Sequence, residues 1–230
     1  MKWKEWKEEY LEITRDFGFN MQKEKEALKS GANAAMKQPN VLKGNRALLH
    51  LSERIGERCI VVGAGPSLQQ ALESGLFDES GGRTIVAADG ACGALYSREI
   101  IPDIIVTDAD GDIAAERKMN AMHSTVVLHF HGDNYPRAYE FSRSLTGDVI
   151  ITTQAGPTEW TFNFGGFTDG DRAVLLCEEF GAESVLLAGF DLPTWPDEGV
   201  PRKLLWAKRI ILEAEERGLN VEFFQAGNED

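Results

Sequence analysis

Long apolar runs are missing from this 230-residue chain; none approaches the length a bilayer requires, so no membrane span is expected. Cysteine is scarce. The three present lack zinc spacing; Cys59 and Cys177 fall in apolar runs that suit a core, and Cys92 follows a glycine-rich turn. A cytoplasmic setting without disulfides is expected, in keeping with the segment Met1 to Glu9, which interleaves charges where a secretory signal would be apolar. Positive charge is short as well. Lys and Arg number 24 against 37 Asp and Glu, a formal net charge of −13, which leaves no surplus of cations for a nucleic-acid partner. No internal repeat and no low-complexity tract is found.

What remains is an ordinary globular composition, 43% hydrophobic and 27% charged, sufficient for one good-sized domain. Residues 1–57 carry no strand signal. Trp3, Trp6, Tyr10, Ile13 and Phe17 recur at three- and four-residue steps, the face of an amphipathic helix, and residues 24–36 and 41–55 read as further helices. Such an aromatic stripe requires a cover, either the main domain or a second subunit in a homodimer. Acids and bases mix on the polar face, which argues against a lipid surface.

From residue 58 to residue 230 strands and helices alternate. Strands are predicted at 59–63, 84–88, 104–107, 125–129, 148–153, 184–188 and 221–224. Helices are predicted at 66–77, 92–99, 113–122, 135–145, 171–180 and 201–217. Continuous Val, Ile and Leu strands separated by helices predict a three-layer α/β fold, a mostly parallel Rossmann-like sheet behind the N-terminal helical region. Ligands bind such sheets beyond the carboxyl ends of the strands, where Gly63, Asp89, Asp108, Asp133, Gln154 and Asp191 fall.

The chemistry concentrates in two acidic loops. Behind the apolar run Ile104 to Val106, the segment TDADGD (107–112) places Asp108, Asp110 and Asp112 at alternate positions, with Gly111 allowing a sharp turn. Carboxylates this close raise one another's pKa unless a cation sits among them; Mg²⁺ carrying substrate phosphates is the simplest occupant, a solvated acidic turn the bland one. The second loop, FNFGGFTDGDRA (162–173), leads into a helix with Thr168 or Asp169 as cap and Asp169 and Asp171 near its start. Gly165 and Gly166 before it allow backbone N–H groups to approach phosphate oxygens. An acidic protein that binds a nucleotide through carboxylates needs a metal to invert the local sign.

Lesser motifs are weighed with these. GAGPSL (63–68) begins like a dinucleotide fingerprint, but Leu68 stands where the third glycine belongs, so Gly63, Gly65 and Ser67 are read as a turn able to receive phosphate, without NAD. Asp89 holds a metal or a ribose, or merely caps the next helix. HFHGDN (129–134) puts His129 and His131 on one strand face with Asp133 and Asn134 in the turn; no third nitrogen or sulfur ligand completes a transition-metal site, which leaves hydrogen bonding to phosphate or acceptor for His131. Gln154 and Asn163, beside aromatics, suit the polar edge of a planar heterocycle.

Together, GAGPSL (63–68), ADGA (88–91), PDIIVTDADGD (102–112), HFHGDN (129–134), TTQ (152–154), NFGGFTDGDRA (163–173) and GFDL (189–192) resemble the archaeal-type 6-hydroxymethyl-7,8-dihydropterin pyrophosphokinase family. That family is itself similar to the catalytic part of thiamine pyrophosphokinases. A thiamine enzyme would carry Lys where Arg172 stands and a β-sandwich after the α/β part, so the pterin branch is favoured. The resemblance implies Mg²⁺-dependent transfer of a diphosphate from ATP to the primary alcohol of a reduced pterin, releasing AMP. In that reading Asp108, Asp110 and Asp133 hold metal and act in catalysis. Arg172 pairs with a phosphate in fork geometry. Asp89, Thr168, Asp169 and Asp171 join the glycines on the ATP side, and His131, Asn134, Gln154 and Asn163 face the acceptor. The general base is open between Asp108 and Asp133. The rivals are thiamine diphosphate formation and a non-catalytic nucleotide- or sugar-nucleotide-binding domain, since D-x-D loops also hold Mg–nucleotides.

Overall fold

A computed structural model describes residues 3–78, 81–193 and 201–225. Its N-terminal part is helical: α1 (Trp3–Phe17), then α2 (Met21–Glu26), which runs through a π-helical stretch (Ala27–Ala32) into α3 (Asn33–Ala35), and α4 (Gly44–Arg54). Strands and helices then alternate as β1 (Arg58–Val62), α5 (Leu68–Glu73), β2 (Thr84–Ala88), α6 (Cys92–Ser97), β3 (Ile104–Thr107), α7 (Ile113–Met122), β4 (Thr125–Phe130) and α8 (Tyr135–Ser144). β5 (Val149–Thr153), α9 (Asp169–Glu179), β6 (Ser184–Ala188), α10 (Arg202–Glu216) and β7 (Asn220–Phe223) complete the order.

The seven strands form one sheet in the order β5-β4-β3-β2-β1-β6-β7, and every pairing is parallel. Alternation along each strand sorts its side chains onto two faces. Cys59 and Val61 of β1 join Val86, Ile104 and Val127 beneath α9 and α10, while Ile60 and Val62 join Ile85, Ile105 and Leu128 beneath the helices α5 to α8. Both faces are therefore covered over β1 to β6, which is why those strands read as largely apolar runs; β7, at the sheet edge, is mostly exposed.

Helix α1 belongs to the first of these faces. Trp6, Tyr10 and Ile13 are at most 1% exposed and sit in the same core as Leu175 and Ile210. Each such side chain contributes roughly 1.5–3 kcal/mol on burial. That is enough to order a 15-residue helix that would be marginal alone. Of the two covers expected for the aromatic stripe, the chain's own α/β part supplies one.

Residues 1–57 also reach the sheet, contrary to expectation. Val41 makes a parallel bridge to Val149, with Leu42 N–H donating to Val149 O at 2.8 Å, and Phe162 bridges Thr152 on the same strand. The outer edge of β5 is thereby partly closed against pairing with another chain. The helix expected over 66–77 is confined to Leu68–Glu73, because Gly75 takes a left-handed φ of 76° and turns the chain out. Among the described residues, no helix is long and apolar enough to cross a membrane.

Candidate functional site

A cleft of about 380 Å³ opens beyond the carboxyl ends of β2 to β5. Its floor is the loop after β3. There Ala109, between the two acids, is held at a left-handed φ of 67°, a conformation that costs an alanine roughly 1–2 kcal/mol. Two contacts hold it: Ala109 N–H donates to Thr107 Oγ1 (2.9 Å), and Asn134 Nδ2 donates to both Asp108 O (2.9 Å) and His129 O (2.8 Å). Gly111 allows the loop to lie flat on its neighbour, since a Cβ there would come within 2.9 Å of the Asp89 carbonyl. Strain of this kind persists where surrounding contacts fix a functional geometry.

Three carboxylates converge at this floor. One oxygen from each of Asp89, Asp108 and Asp169 lies within 4.8 Å of the others. Asp89 is 8% exposed; its Oδ1 accepts the Gly90 N–H, and its Oδ2 has no hydrogen bond among the described residues. Burial, with Asp169 and Asp110 adding to it, pushes Asp89 up to about 9. Burial likewise raises Asp169 to about 7, against the pull of Arg172. Asp108 goes the other way. Burial raises it, but the hydrogen bond with His131 (Nε2 to Oδ2, 3.0 Å) and the charges of Arg172 and Arg137 outweigh that and bring it below the usual range. Behind the trio, Glu116 of α7 is fully buried and reaches about 8, burial foremost, with Asp169, Asp112 and Asp108 adding to it. Carboxylate oxygens this crowded, with Asp89 Oδ2 left without a hydrogen bond among the described residues, fit a hard divalent cation.

Arg172 organises the wall above. Its Nη1 donates to Asp169 Oδ1 (3.1 Å) and its Nη2 to Gln154 Oε1 (2.8 Å). The same Gln154 oxygen lies 2.8 Å from His129 Nε2, and His129 Nδ1 lies 3.0 Å from Thr152 Oγ1. Burial, followed by the nearby Arg172 and His131, holds His129 well below its ordinary pKa, so the ring is neutral. The network assigns the proton to Nε2, because an amide oxygen can only accept. Gln154 Nε2 is buried with no acceptor among the described residues and lies in the cleft wall.

Of the residues singled out in the sequence, Asp89, Asp108, Asp110, His131, Asp133, Gln154, Thr168, Asp169 and Arg172 line this one cleft. Of the three acids expected to hold metal, only Asp108 belongs to the group whose oxygens converge. Asp133 sits at the rim, 72% exposed and paired with Lys23 (2.9 Å), and Asp110 is 59% exposed and leans toward Arg137 (3.8 Å); Asp89 and Asp169 are the acids that join Asp108. Asp171 is a helix cap: it accepts from the N–H groups of Phe167 and Thr168 and from Thr168 Oγ1, which uses its lone pairs. Asp112 caps α7 through Ala115 N–H (3.0 Å).

The glycine turns serve close packing. Gly166, at φ 93°, lies so near α9 that a Cβ would come 2.6 Å from Arg172 Cγ, and Gly165 packs on Leu175 and Trp6. Gly63 lies against Gly189, and Gly65 N–H donates to Gly189 O (2.8 Å). Ser67, expected to receive phosphate, here gives both its N–H and its hydroxyl to Asp191 Oδ2, at 2.9 and 2.8 Å. Asn134 and Asn163 are spent on backbone groups. Asn163 donates to Ala155 O (3.1 Å) and accepts from Gly165 N–H (3.0 Å), beside a cavity of only about 20 Å³.

Tyr10, Phe19 and Glu24 of the N-terminal helical region also line the cleft, as do Phe167 and Lys203. The three N-terminal residues were not expected there, since helical periodicity assigns Tyr10 only to a packing stripe. Glu116 did carry a signal, an acid on the apolar face of α7 one turn from Met119.

The pattern of the 6-hydroxymethylpterin diphosphokinase MptE-like family matches residues 32–194. A curated protein named 6-hydroxymethyl-7,8-dihydropterin pyrophosphokinase from Pyrococcus furiosus is 35% identical over 97% of this chain and 99% of its own length. Proteins of the same name from Methanothermobacter thermautotrophicus and Methanocaldococcus jannaschii are 38% and 32% identical, over 82% and 98% of this chain and 77% and 100% of their own. Among solved structures, the MAf glycosyltransferase from Magnetospirillum magneticum superposes with a TM-score of 0.55 at 15% identity, covering 77% of this chain and 35% of that one, a likeness of fold alone.

Proposed function

The chain belongs to the 6-hydroxymethylpterin diphosphokinase MptE-like family, and from that premise we propose that it transfers a diphosphate group from ATP to the hydroxymethyl oxygen of 6-hydroxymethyl-7,8-dihydropterin, releasing AMP. The observation that carries the reading is the convergence of Asp89, Asp108 and Asp169 at the strand ends, in a cleft whose lining also includes Tyr10, Phe19 and Phe167.

In this reaction the acceptor oxygen bonds to the β-phosphorus, the bond from that phosphorus to the α,β-bridging oxygen breaks, and the hydroxyl proton is released. Negative charge grows on the departing AMP and across the diphosphate. Asp89, Asp108 and Asp169 would hold Mg²⁺, which when bound supplies the positive charge that a triphosphate requires beside these acids. Arg172, anchored by Asp169 and Gln154, keeps a guanidinium within the cleft wall for phosphate oxygens. His131 holds Asp108 in place through its Nε2 contact, and Asn134 holds the backbone of both. Positioning and electrostatics supply most of the rate in such transfers, so no covalent nucleophile is required.

Purified protein incubated with ATP, Mg²⁺ and either the reduced pterin or thiamine tests the reading. AMP and a pterin diphosphate are expected with the pterin alone. ADP as product, or turnover with thiamine only, would refute it.

A further inference from the structure

The converging acids of the cleft come from strand ends and the start of α9, whereas another part of its lining comes from the turn between α1 and α2. Asn20 fixes that turn by accepting the Gln22 N–H on its side chain at 2.8 Å. It brings two chemically unlike groups to the cleft. Phe19 joins Phe17 and Phe167 in a ring cluster with centroids 5.0–6.0 Å apart, and Phe19 and Phe167 face the cleft. Glu24, one turn into α2, is a carboxylate only 6% exposed.

Glu24 lacks a cationic partner in direct contact. Its Oε2 accepts the Gly132 N–H at 3.0 Å, and no other hydrogen bond reaches the carboxylate from the described residues. The neighbouring Lys23 pairs with Asp133, and Arg172 donates to Asp169 and Gln154 rather than to Glu24. An ionised carboxylate can accept about four hydrogen bonds, so a buried one with a single donor has capacity left for a ligand. Leaving that capacity unused out of water is unfavourable.

We propose that Glu24 reads the adjacent pair of N–H donors, the 2-amino group and N3–H, on the 2-amino-4-oxo edge of the pterin, while Phe19 and Phe167 flank the flat ring. The assignment rests on the reaction proposed above. Two parallel N–H donors match the two oxygens of a carboxylate. The Watson–Crick edge of adenine offers an amino donor beside a ring-nitrogen acceptor, and so does the aminopyrimidine of thiamine. Either would leave one Glu24 oxygen facing a lone pair. Glu24 thus selects the acceptor against both ATP and thiamine.

The test compares 6-hydroxymethyl-7,8-dihydropterin with its 2-deamino analogue in wild-type enzyme and in Glu24→Gln. A site built to hydrogen-bond a substrate donor rejects the analogue lacking it by about 10⁴-fold or more, so a wild-type preference in kcat/KM of at least ~10³ is expected. Glu24→Gln should raise the KM for the pterin by about 100-fold, leave the KM for ATP within about twofold, and shrink the preference for the 2-amino acceptor. An unchanged pterin KM in Glu24→Gln, with wild type still making AMP and pterin diphosphate, overturns the inference and leaves the reaction intact. Should the variant fail to fold, wild type alone decides, since equal kcat/KM for the two acceptors also overturns it. Absence of AMP from wild type with any pterin would instead refute the reaction itself.

Discussion

Arg172 reaches back one turn along α9 to set its Nη1 3.1 Å from Asp169 Oδ1, with only 9% and 14% of the two side chains exposed. Removing one member of a buried pair strands the other, at a typical cost of about 3–5 kcal/mol. Arg172→Ala should lower stability by that order near pH 8, measured by urea unfolding. The loss should shrink toward pH 5, where Asp169, already raised to about 7, takes up a proton and needs no partner. An equal loss at both pH values would mean that the ion pair is not its source.

The acids of the cleft give the protein a pH signature. Asp169, Glu116 and Asp89 titrate at about 7, 8 and 9 in the fold. Carboxyls of an unfolded chain titrate near 4, so these groups bind more protons folded than unfolded; the stability they contribute is complete below about pH 4 and is lost as pH rises through about 7 to 9. In EDTA the melting temperature should therefore fall from mildly acidic to alkaline pH. Mg²⁺ favours the ionised carboxylates, so its stabilising shift should grow across the same window. A shift independent of pH would count against Asp89 and Asp169 as the cation's ligands.

Asp89 and Asp133 are both acids beside the cleft, but only Asp89 is buried with an oxygen left open. Asp89→Asn should weaken Mg²⁺-dependent ATP binding at least ~100-fold, equivalent to about 2.7 kcal/mol, measured by calorimetry. The same variant should gain thermal stability in EDTA at neutral pH, because an amide there spares the fold the cost of protonating an acid that is ionised in the unfolded chain. Asp133→Asn breaks only an exposed, solvent-screened pair with Lys23 and should leave binding within a few-fold. The reverse order of effects would restore Asp133 as a metal ligand.

Trp6 is wholly buried against the sheet layer that carries α9. Trp6→Ala should cost about 3–5 kcal/mol in denaturant unfolding. Because Tyr10, Phe19 and Glu24 follow on the same N-terminal segment, pterin affinity should fall with it, while Mg–ATP affinity changes far less. Parallel loss of both affinities would point to general unfolding.

The sheet was legible because its strands are buried on both faces: Thr84–Ala88, Ile104–Thr107 and Ser184–Ala188 show their bounds as unbroken apolar runs. The acidic loops were legible as well, since Asp108 and Asp169 stand at the ends of such elements. The choice among acids was legible only in part. Asp171 is engaged by Thr168 three residues before it, a capping-box spacing that the sequence does carry, whereas Asp133 pairs with Lys23, 110 residues away, which no local spacing marks. The same holds for Gly63 and Gly65, whose place is set by the approach of Gly189 across the β1–β6 pairing. Glu24 lies among lysines on a short polar helix and looks solvent-facing until α2 is folded over Gly132.

The central claim, movement of a whole diphosphate, is tested most directly with ATP labelled at the β-phosphorus. Incubated with Mg²⁺ and 6-hydroxymethyl-7,8-dihydropterin, the label should pass to the pterin product while the adenine is recovered as unlabelled AMP. Label retained with adenine as ADP, with only the γ-phosphate moved to the pterin, would contradict the account.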